Sequence, residues 1–342
     1  MDPAKSSSPP EYLDSDRADA LLVALREHAG DEGLAFAEAP ARLTGGYSAG
    51  LYGFRLDEAP DELAGRLVLR ILRAADDAER EINAQREVAE LGFPAPAVAF
   101  AADSSVGLGG PFMVMEHVEG RTLFEAPLPE MRRLPVVLGE VMGRLHALDP
   151  DPVRAAFSIA GWPEGELGAE RVLTEVSEAI DVAGSAPLAD GLSWLVQNRP
   201  PRVPDVICHG DLHPGNMLTR DGRLVALLDW ELATLAEPEF DVARTVVLLR
   251  SAPGGESRAA RWLRQRLGRL ACRRFLATYA IADPDRLRWY EALHCLRIIA
   301  LGAEAAIGSQ RQAAPVVELW APLTDQLAGR FARITGVEVD PG

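Results

Sequence analysis

The residue types best suited to chemistry fall in one short stretch, which reads His209-Gly210-Asp211-Leu212-His213-Pro214-Gly215-Asn216. A second acidic residue, Asp229, follows Asn216 by thirteen positions. One carboxylate of such a set can accept the proton of an attacking hydroxyl, while an amide oxygen and a second carboxylate hold a divalent cation on phosphate oxygens. The order and spacing therefore predict a phosphoryl-transfer site, with Asp211 as base and with Asn216 and Asp229 as Mg²⁺ ligands.

Short strands and one tight turn must position these groups. Residues 205–209, 216–218 and 224–229 are predicted strands, and Asp221-Gly222 is typical of a two-residue hairpin turn. That hairpin would bring Asn216 and Asp229 to one end of a strand pair. Each residue also has a simpler interpretation, since an Asp can cap a turn and an Asn after a glycine can occupy a left-handed one.

The rest of the chain changes character after Gly120. Before it, two helices alternate with short strand-like runs, at residues 15–28, 36–43, 51–56, 66–72, 76–91, 98–102 and 112–118. After it, helical periodicity dominates, at residues 130–148, 166–182, 192–197, 240–250, 257–279, 284–306 and 316–334. Strands first and helices later, with the candidate site at the junction, predict an α+β chain of two unequal parts, residues 1–118 and 119–342.

Composition limits the class of protein. The chain has 342 residues, of which 48% are hydrophobic and 25% charged, and its net charge is −16. Such an acidic balance argues against nucleic acid as a partner. Three cysteines without paired or metal-ligand spacing favour a reducing compartment, and no apolar run is long enough for a membrane span or signal core. We therefore expect a cytoplasmic protein without a membrane partner.

One basic cluster stands out against the acidic background. Seven arginines lie between positions 258 and 274. Leu263, Leu267 and Leu270 occupy a complementary helical face in the same segment, so this pattern predicts that the arginines form a solvated surface.

The motifs resemble those of the aminoglycoside phosphotransferase/choline kinase family. The resemblance rests on the stretch from His209 to Asn216, on Leu228-Asp229-Trp230-Glu231 and on Glu237-Pro238-Glu239-Phe240-Asp241-Val242-Ala243. Weaker matches are Gly45-Gly46-Tyr47-Ser48, Val68-Leu69-Arg70, Arg80-Glu81 and Phe112-Met113-Val114-Met115-Glu116. The resemblance implies a bilobal protein-kinase-like fold, with a small N-terminal antiparallel sheet lobe and a larger, mainly helical C-terminal lobe.

It also implies a role for each matching residue. His209 would fix the catalytic loop, and His213 would serve the turn. Asp241 would brace the loop, although a helix N-cap explains it equally well. In the first part, the glycine-rich turn with Gly45, Gly46 and Ser48 would contact nucleotide phosphates, and Arg70 would grip phosphate with Glu81 as its partner. Glu79 and Glu87 compete for that pairing. The backbone from Glu116 to Val118 would meet the purine edge.

The family implies ATP as phosphoryl donor, with GTP left open, and Mg²⁺ as the cation. The acceptor would be a hydroxylated small molecule, such as an aminoglycoside-like antibiotic or a metabolite. A run of acidic residues between positions 161 and 190 faces only Arg171 locally, which favours a cationic acceptor or, alternatively, a solvated acidic helix. A nucleotide-binding pseudokinase or scaffold and a protein kinase are the alternative classes, and the sequence does not determine the oligomeric state.

Overall fold

The structure, a computed structural model, describes residues 11–43, 50–72, 75–103, 106–251, 258–307 and 323–340. The chain divides into two compact units. The first comprises Met1–Gly120 together with Val225–Glu231, and the second comprises Arg121–Leu224 and Leu232–Gly342. The chain therefore passes into the first unit for seven residues, which include Asp229, before it returns to the second.

An antiparallel sheet of five strands, in the order β1-β2-β3-β5-β4, forms the centre of the first unit. Its elements are α1 (Ser15–Ala29), β1 (Ala35–Arg42), β2 (Leu51–Asp57), β3 (Arg66–Ile71), α2 (Ala75–Glu90), β4 (Val98–Ala102) and β5 (Phe112–Glu116). Side chains alternate between the two faces of each strand. Leu69 and Val114 join the core with Leu21 and Leu25 of α1, whereas Val68, Met113 and Met115 pack with Ile82 of α2 on the opposite face.

The second unit is mainly helical. Its helices are α3 (Leu128–His146), α4 (Asp151–Ile159), α5 (Gly168–Ala183), α6 (Ala186–Gln197), α7 (Glu239–Ser251), α8 (Arg258–Tyr279), α9 (Pro284–Ala306) and α10 (Thr324–Thr335). Helix α9 is buried over most of its circumference, because it packs against α5, α7 and α10. It therefore forms the centre of the core of this unit.

Short strands connect the helices near the candidate site. They are β6 (Arg121–Thr122), β7 (Val206–Cys208), β8 (Met217–Arg220), β9 (Arg223–Leu227) and β10 (Thr234–Ala236). Strand β7 pairs with β10 and strand β6 pairs with β8, both antiparallel. The turn between β8 and β9 has φ of 52° at Asp221 and 71° at Gly222, as a type I′ hairpin requires.

The predicted class, a chain with a small antiparallel sheet part followed by a larger helical part, is confirmed. Three elements were not predicted: α4, β6 and β10. Strands of two and three residues are too short for an alternating pattern, and α4 is a nine-residue helix with one buried pair, Val153 and Phe157. Among the described residues, no helix combines the length and the apolar character that crossing a bilayer would require.

Arg266, Arg269 and Arg273 of α8 are exposed as predicted, but the leucine face of this helix is exposed as well. Leu263, Leu267 and Leu270 are 52%, 56% and 48% exposed. Helix α8 is buried instead through Gly268, Cys272 and Phe275, which lie on the opposite side of the helix. A helical pattern identifies which residues share a face, but it does not determine which face the neighbouring elements cover.

Candidate active site

The loop that carries Asp211 follows strand β7 through a sharp turn at Gly210. This glycine has φ of 79°, and a Cβ atom there would lie 2.2 Å from the carbonyl oxygen of Leu232. Only glycine tolerates both the backbone conformation and the close approach. His209 is completely buried, and its Nδ1 accepts the N–H of Asp211 at 3.2 Å. The glycine turn and the His209 side chain therefore hold the backbone of Asp211 in place.

Asp241 braces this loop from the first turn of α7. Its Oδ2 accepts the N–H of His209 and its Oδ1 accepts the N–H of Gly210, both at 2.8 Å. Behind it, His146 Nε2 lies 3.3 Å from Oδ2, and His146 Nδ1 lies 2.7 Å from the Tyr279 hydroxyl. Burial alone would raise the pKa of Asp241, but the hydrogen bonds and charge of its histidine partners lower it.

The sequence left two accounts of Asp241 open. Asp241 is the third residue of α7, and both of its carboxylate oxygens bind the loop. The loop-bracing account therefore describes the observed contacts.

Asp211 lies between two cationic or potentially cationic side chains. Arg244 Nη2 is 3.2 Å from its Oδ1, and His213 Nε2 is 3.4 Å from its Oδ2. Burial by itself would raise the pKa of Asp211, but the hydrogen bond from His213 and the charge of Arg244 hold it well below its ordinary value. The carboxylate is consequently ionised at neutral pH, and its side chain remains 25% exposed.

Asn216 is held against the same loop. Its Nδ2 donates to the backbone carbonyl of Asp211 at 3.1 Å. The orientation directs the amide nitrogen to the loop and leaves the side-chain oxygen as the atom that can face a cation. An amide oxygen is a ligand type that Mg²⁺ accepts, so Asn216 fits the predicted role. The turn before it is closed by His213, whose Nδ1 accepts the N–H of Gly215 at 3.0 Å.

Arg70 is the centre of a buried charge cluster in the first unit. Its Nε lies 2.8 Å from Glu81 Oε1, its Nη2 lies 2.7 Å from Asp229 Oδ1, and Glu231 is 3.9 Å away. Burial opposes the charge of Arg70, yet its carboxylate partners raise its pKa. Burial also raises the pKa of Glu81 to about 7, against the attraction of Arg70. Three acidic groups thus converge on one guanidinium.

Aromatic packing and backbone bonds hold Asp229 in this cluster. Trp230 is fully buried, donates from Nε1 to the carbonyl of Leu227 at 3.0 Å, and meets Phe93 edge to face. Asp229 itself has φ of 66°, a left-handed conformation that a non-glycine residue rarely adopts. Its carboxylate is 32% exposed, and a carboxylate is a ligand that Mg²⁺ prefers. Asp229 therefore also fits the role of a ligand.

Of the other residues predicted in the first unit, the structure describes Glu116 and Val118 but not the glycine-rich segment. Gly45, Gly46 and Ser48 lie outside the described residues. Glu116 ends β5 and donates its N–H to the carbonyl of Ala97 at 3.0 Å, and Val118 follows two residues later.

The competing acids on α2 are placed differently from Glu81. Glu79 is exposed and Glu87 is partly exposed, whereas Glu81 is buried. Of the three, Glu81 is the residue that pairs with Arg70.

Sequence reasoning missed three contributors, namely Arg244, His146 and Tyr279. Arg244 lies three residues after Asp241, which places both on one side of α7, so helical spacing could have indicated it. His146 and Tyr279 reach Asp241 from α3 and α8, and nothing in their local sequence signals that contact. The acidic run at 161–190 is also less unbalanced than expected, because arginines from elsewhere pair with Glu164, Glu170 and Glu175.

The fold defines a class: a small antiparallel sheet followed by a larger, mainly helical unit is the kinase-like architecture. The profile of the phosphotransferase enzyme family matches residues 42–290. The chain belongs to this family.

Two curated relatives are similar to part of this chain. Acyl-CoA dehydrogenase family member 11 of Gallus gallus is 31% identical over 184 residues, which are 51% of this chain and 23% of that protein. The chain thus spans less than a quarter of that relative. A homoserine kinase of Beijerinckia indica is 29% identical over 139 residues, 40% of each chain.

Aminoglycoside phosphotransferase APH(4)-Ia, solved as a thermostable mutant with AMP-PNP and hygromycin B, has a TM-score of 0.60 and 19% identity over 93% of this chain and 98% of its own. At this identity the likeness establishes the fold alone.

Proposed function

We propose that the protein transfers the γ-phosphoryl group of ATP to a hydroxyl of a small molecule. The observation that carries this proposal is the partly exposed carboxylate of Asp211, on a loop that Asp241 braces through two backbone N–H groups. A braced loop keeps the carboxylate aimed at an attacking hydroxyl, and orientation is the main demand of a loose phosphoryl-transfer transition state.

In the proposed reaction, the acceptor hydroxyl oxygen forms a bond to the γ-phosphorus as the bond from that phosphorus to the bridging oxygen of ADP breaks. The hydroxyl proton passes to Asp211. Because its partners lower the pKa of Asp211, the carboxylate is a weak base before the reaction and accepts this proton late. His213 and Arg244 fix the two carboxylate oxygens, so the acceptor meets an oriented group.

Asn216 and Asp229 would hold Mg²⁺, which when bound neutralises charge on the transferring phosphate. Arg70, held by Glu81, would grip the nucleotide phosphates from strand β3. Gly45, Gly46 and Ser48, which lie outside the described residues, would contact the nucleotide phosphates. The carbonyl oxygen of Glu116 and the backbone of Val118 would contact the adenine, since the N–H of Glu116 is already donated to Ala97. GTP is the alternative phosphoryl donor.

The acceptor is a hydroxylated small molecule in this proposal. The similarity to a homoserine kinase and the shared fold with an aminoglycoside phosphotransferase give two chemical classes to test first, hydroxylated amino acids and aminoglycosides. Positive charge on the acceptor is less supported than the sequence suggested, because three acids of the 161–190 run are paired with arginines. Three free, buried thiols support a reducing location, the cytoplasm.

The test is phosphorylation of an acceptor panel with labelled ATP by the wild type and by Asp211→Asn. We expect labelled product with the wild type and a loss of at least about 100-fold in the variant, the size of a general-base contribution. Asp221→Asn in the β8–β9 turn is the matched control, since Asn tolerates the left-handed backbone there and Asp221 is placed outside the proposed chemistry.

Undiminished turnover of Asp211→Asn would refute the base. Nucleotide binding by the wild type with no turnover of any acceptor would instead support a pseudokinase.

A further inference from the structure

Helix α8 presents an amphipathic surface that the proposed kinase chemistry does not use. The segment 258–279 contains seven arginines and no acidic residue, in a chain of net charge −16. Trp262, Leu263, Leu267 and Leu270 are each about half exposed on this helix. We call these four side chains, with the exposed Arg266, Arg269 and Arg273, the α8 surface.

The α8 surface is organised in two adjacent stripes. Leu263, Leu267 and Leu270 recur at intervals of four and three residues, which aligns them along the helix. Arg266, Arg269 and Arg273 recur at intervals of three and four and form a parallel line beside them. The guanidinium of Arg266 also lies 4.9 Å from the ring centroid of Trp262, so the basic and apolar groups are in contact.

The rest of the helix anchors this surface firmly to the second unit. A Cβ atom at Gly268 would lie 2.4 Å from the carbonyl oxygen of Leu249, which shows how closely α8 approaches α7. Cys272 and Phe275 are fully buried on the same side. The exposed leucines are therefore outside the core because of the helix orientation, and a change in them leaves the buried contacts in place.

We propose that the α8 surface docks on an anionic phospholipid bilayer. A helix with a basic stripe, an aligned apolar stripe and a tryptophan lies at a membrane interface, where arginines meet anionic headgroups and leucines enter the acyl boundary. Charge complementarity favours this occupant. The acidic chain as a whole is repelled by an anionic bilayer, but a dense basic surface within a Debye length of the headgroups is attracted to them. The proposal departs from the sequence expectation of no membrane partner.

Co-sedimentation of the full chain with vesicles tests the proposal. We expect binding to mixed phosphatidylcholine/phosphatidylserine vesicles, little binding to pure phosphatidylcholine, and release at high salt. Each arginine near an anionic surface strengthens partitioning about fivefold, so the triple variant R266Q/R269Q/R273Q should bind about 100-fold more weakly. The variant L263S/L267S/L270S should also lose binding.

Matched controls change exposed residues elsewhere in the second unit. The variant I159S/V182S/V196S removes three exposed apolar side chains, and R132Q/R133Q/R288Q removes three exposed arginines. Both should bind vesicles like the wild type, and urea unfolding should show that all variants are folded.

Absence of wild-type binding to the anionic vesicles, or equal loss in the controls, would overturn the proposal. A leucine variant that changes the oligomeric state while no form binds vesicles would instead identify a second copy as the occupant.

Discussion

A methyl group added at Gly210 should be more disruptive than a methyl group added at Gly222, which lies in a turn with a similar backbone conformation. Gly210 has φ of 79° and Gly222 has φ of 71°, so alanine meets the same left-handed backbone at both positions. The surroundings differ: a Cβ at Gly210 would lie 2.2 Å from the carbonyl oxygen of Leu232, whereas nothing lies within 4 Å of a Cβ at Gly222. The pair of substitutions therefore isolates the steric contact.

The expected magnitude follows from that comparison. The left-handed conformation costs alanine roughly 1–2 kcal/mol at either position. Replacing glycine by alanine also lowers the conformational entropy of the unfolded chain, and this effect is the same for both substitutions. The contact at Gly210 adds an overpacking cost of roughly 1–3 kcal/mol. Because the methyl carbon is fixed rigidly to Cα and the oxygen belongs to the backbone, relief requires the loop to move by about 1 Å to reach ordinary van der Waals separation.

Such a movement would displace Asp211 and weaken the bonds from His209 and Gly210 to Asp241. A displacement of about 1 Å can lower a rate about 100-fold. We therefore expect Gly210→Ala to lose more activity than its loss of stability explains, while Gly222→Ala keeps near wild-type turnover.

Urea unfolding followed by tryptophan fluorescence measures the stability of both variants, and turnover is measured at a temperature where both are folded. Equal stability of the two variants, together with full activity in Gly210→Ala, would refute the steric argument and the bracing of this loop.

Three further predictions concern the charged residues. Arg244→Gln removes the guanidinium that lowers the pKa of Asp211, so the acidic limb of the pH profile of kcat/KM should move to higher pH; an unmoved limb would contradict the pairing. Asp241→Asn leaves one loop N–H facing an amide nitrogen and should lower the free energy of unfolding by roughly 2–4 kcal/mol in urea titrations; a neutral effect would mean that the loop needs no brace. Glu81 has a folded pKa of about 7, above its ordinary 4.5, so its contribution favours the fold at low pH and is lost as pH rises through that window. The free energy of unfolding should therefore fall less between pH 5 and pH 8 in Glu81→Gln than in the wild type. Equal decreases in the two proteins would exclude this ionisation.

Much of the secondary structure could be predicted because its signals are local. Strand β4 and helix α9 have the predicted bounds, since an apolar period and a clear start or stop determine each. The residues Asp211 and Asn216 could be paired in advance because five positions in one loop bring them together whatever surrounds them. The Asp221-Gly222 turn could also be predicted, because its signal is local in the sequence.

Only the tertiary structure decided the partners of these residues. His146 reaches Asp241 across 95 positions and Arg70 reaches Asp229 across 159, and no local pattern encodes such contacts. The exposed leucines of α8 show the same limit, because periodicity defines a helical face while packing of other elements determines whether it is covered. The sequence thus determines which groups can do chemistry and in what order they occur; the packing of distant segments determines their charge, their orientation and their exposure.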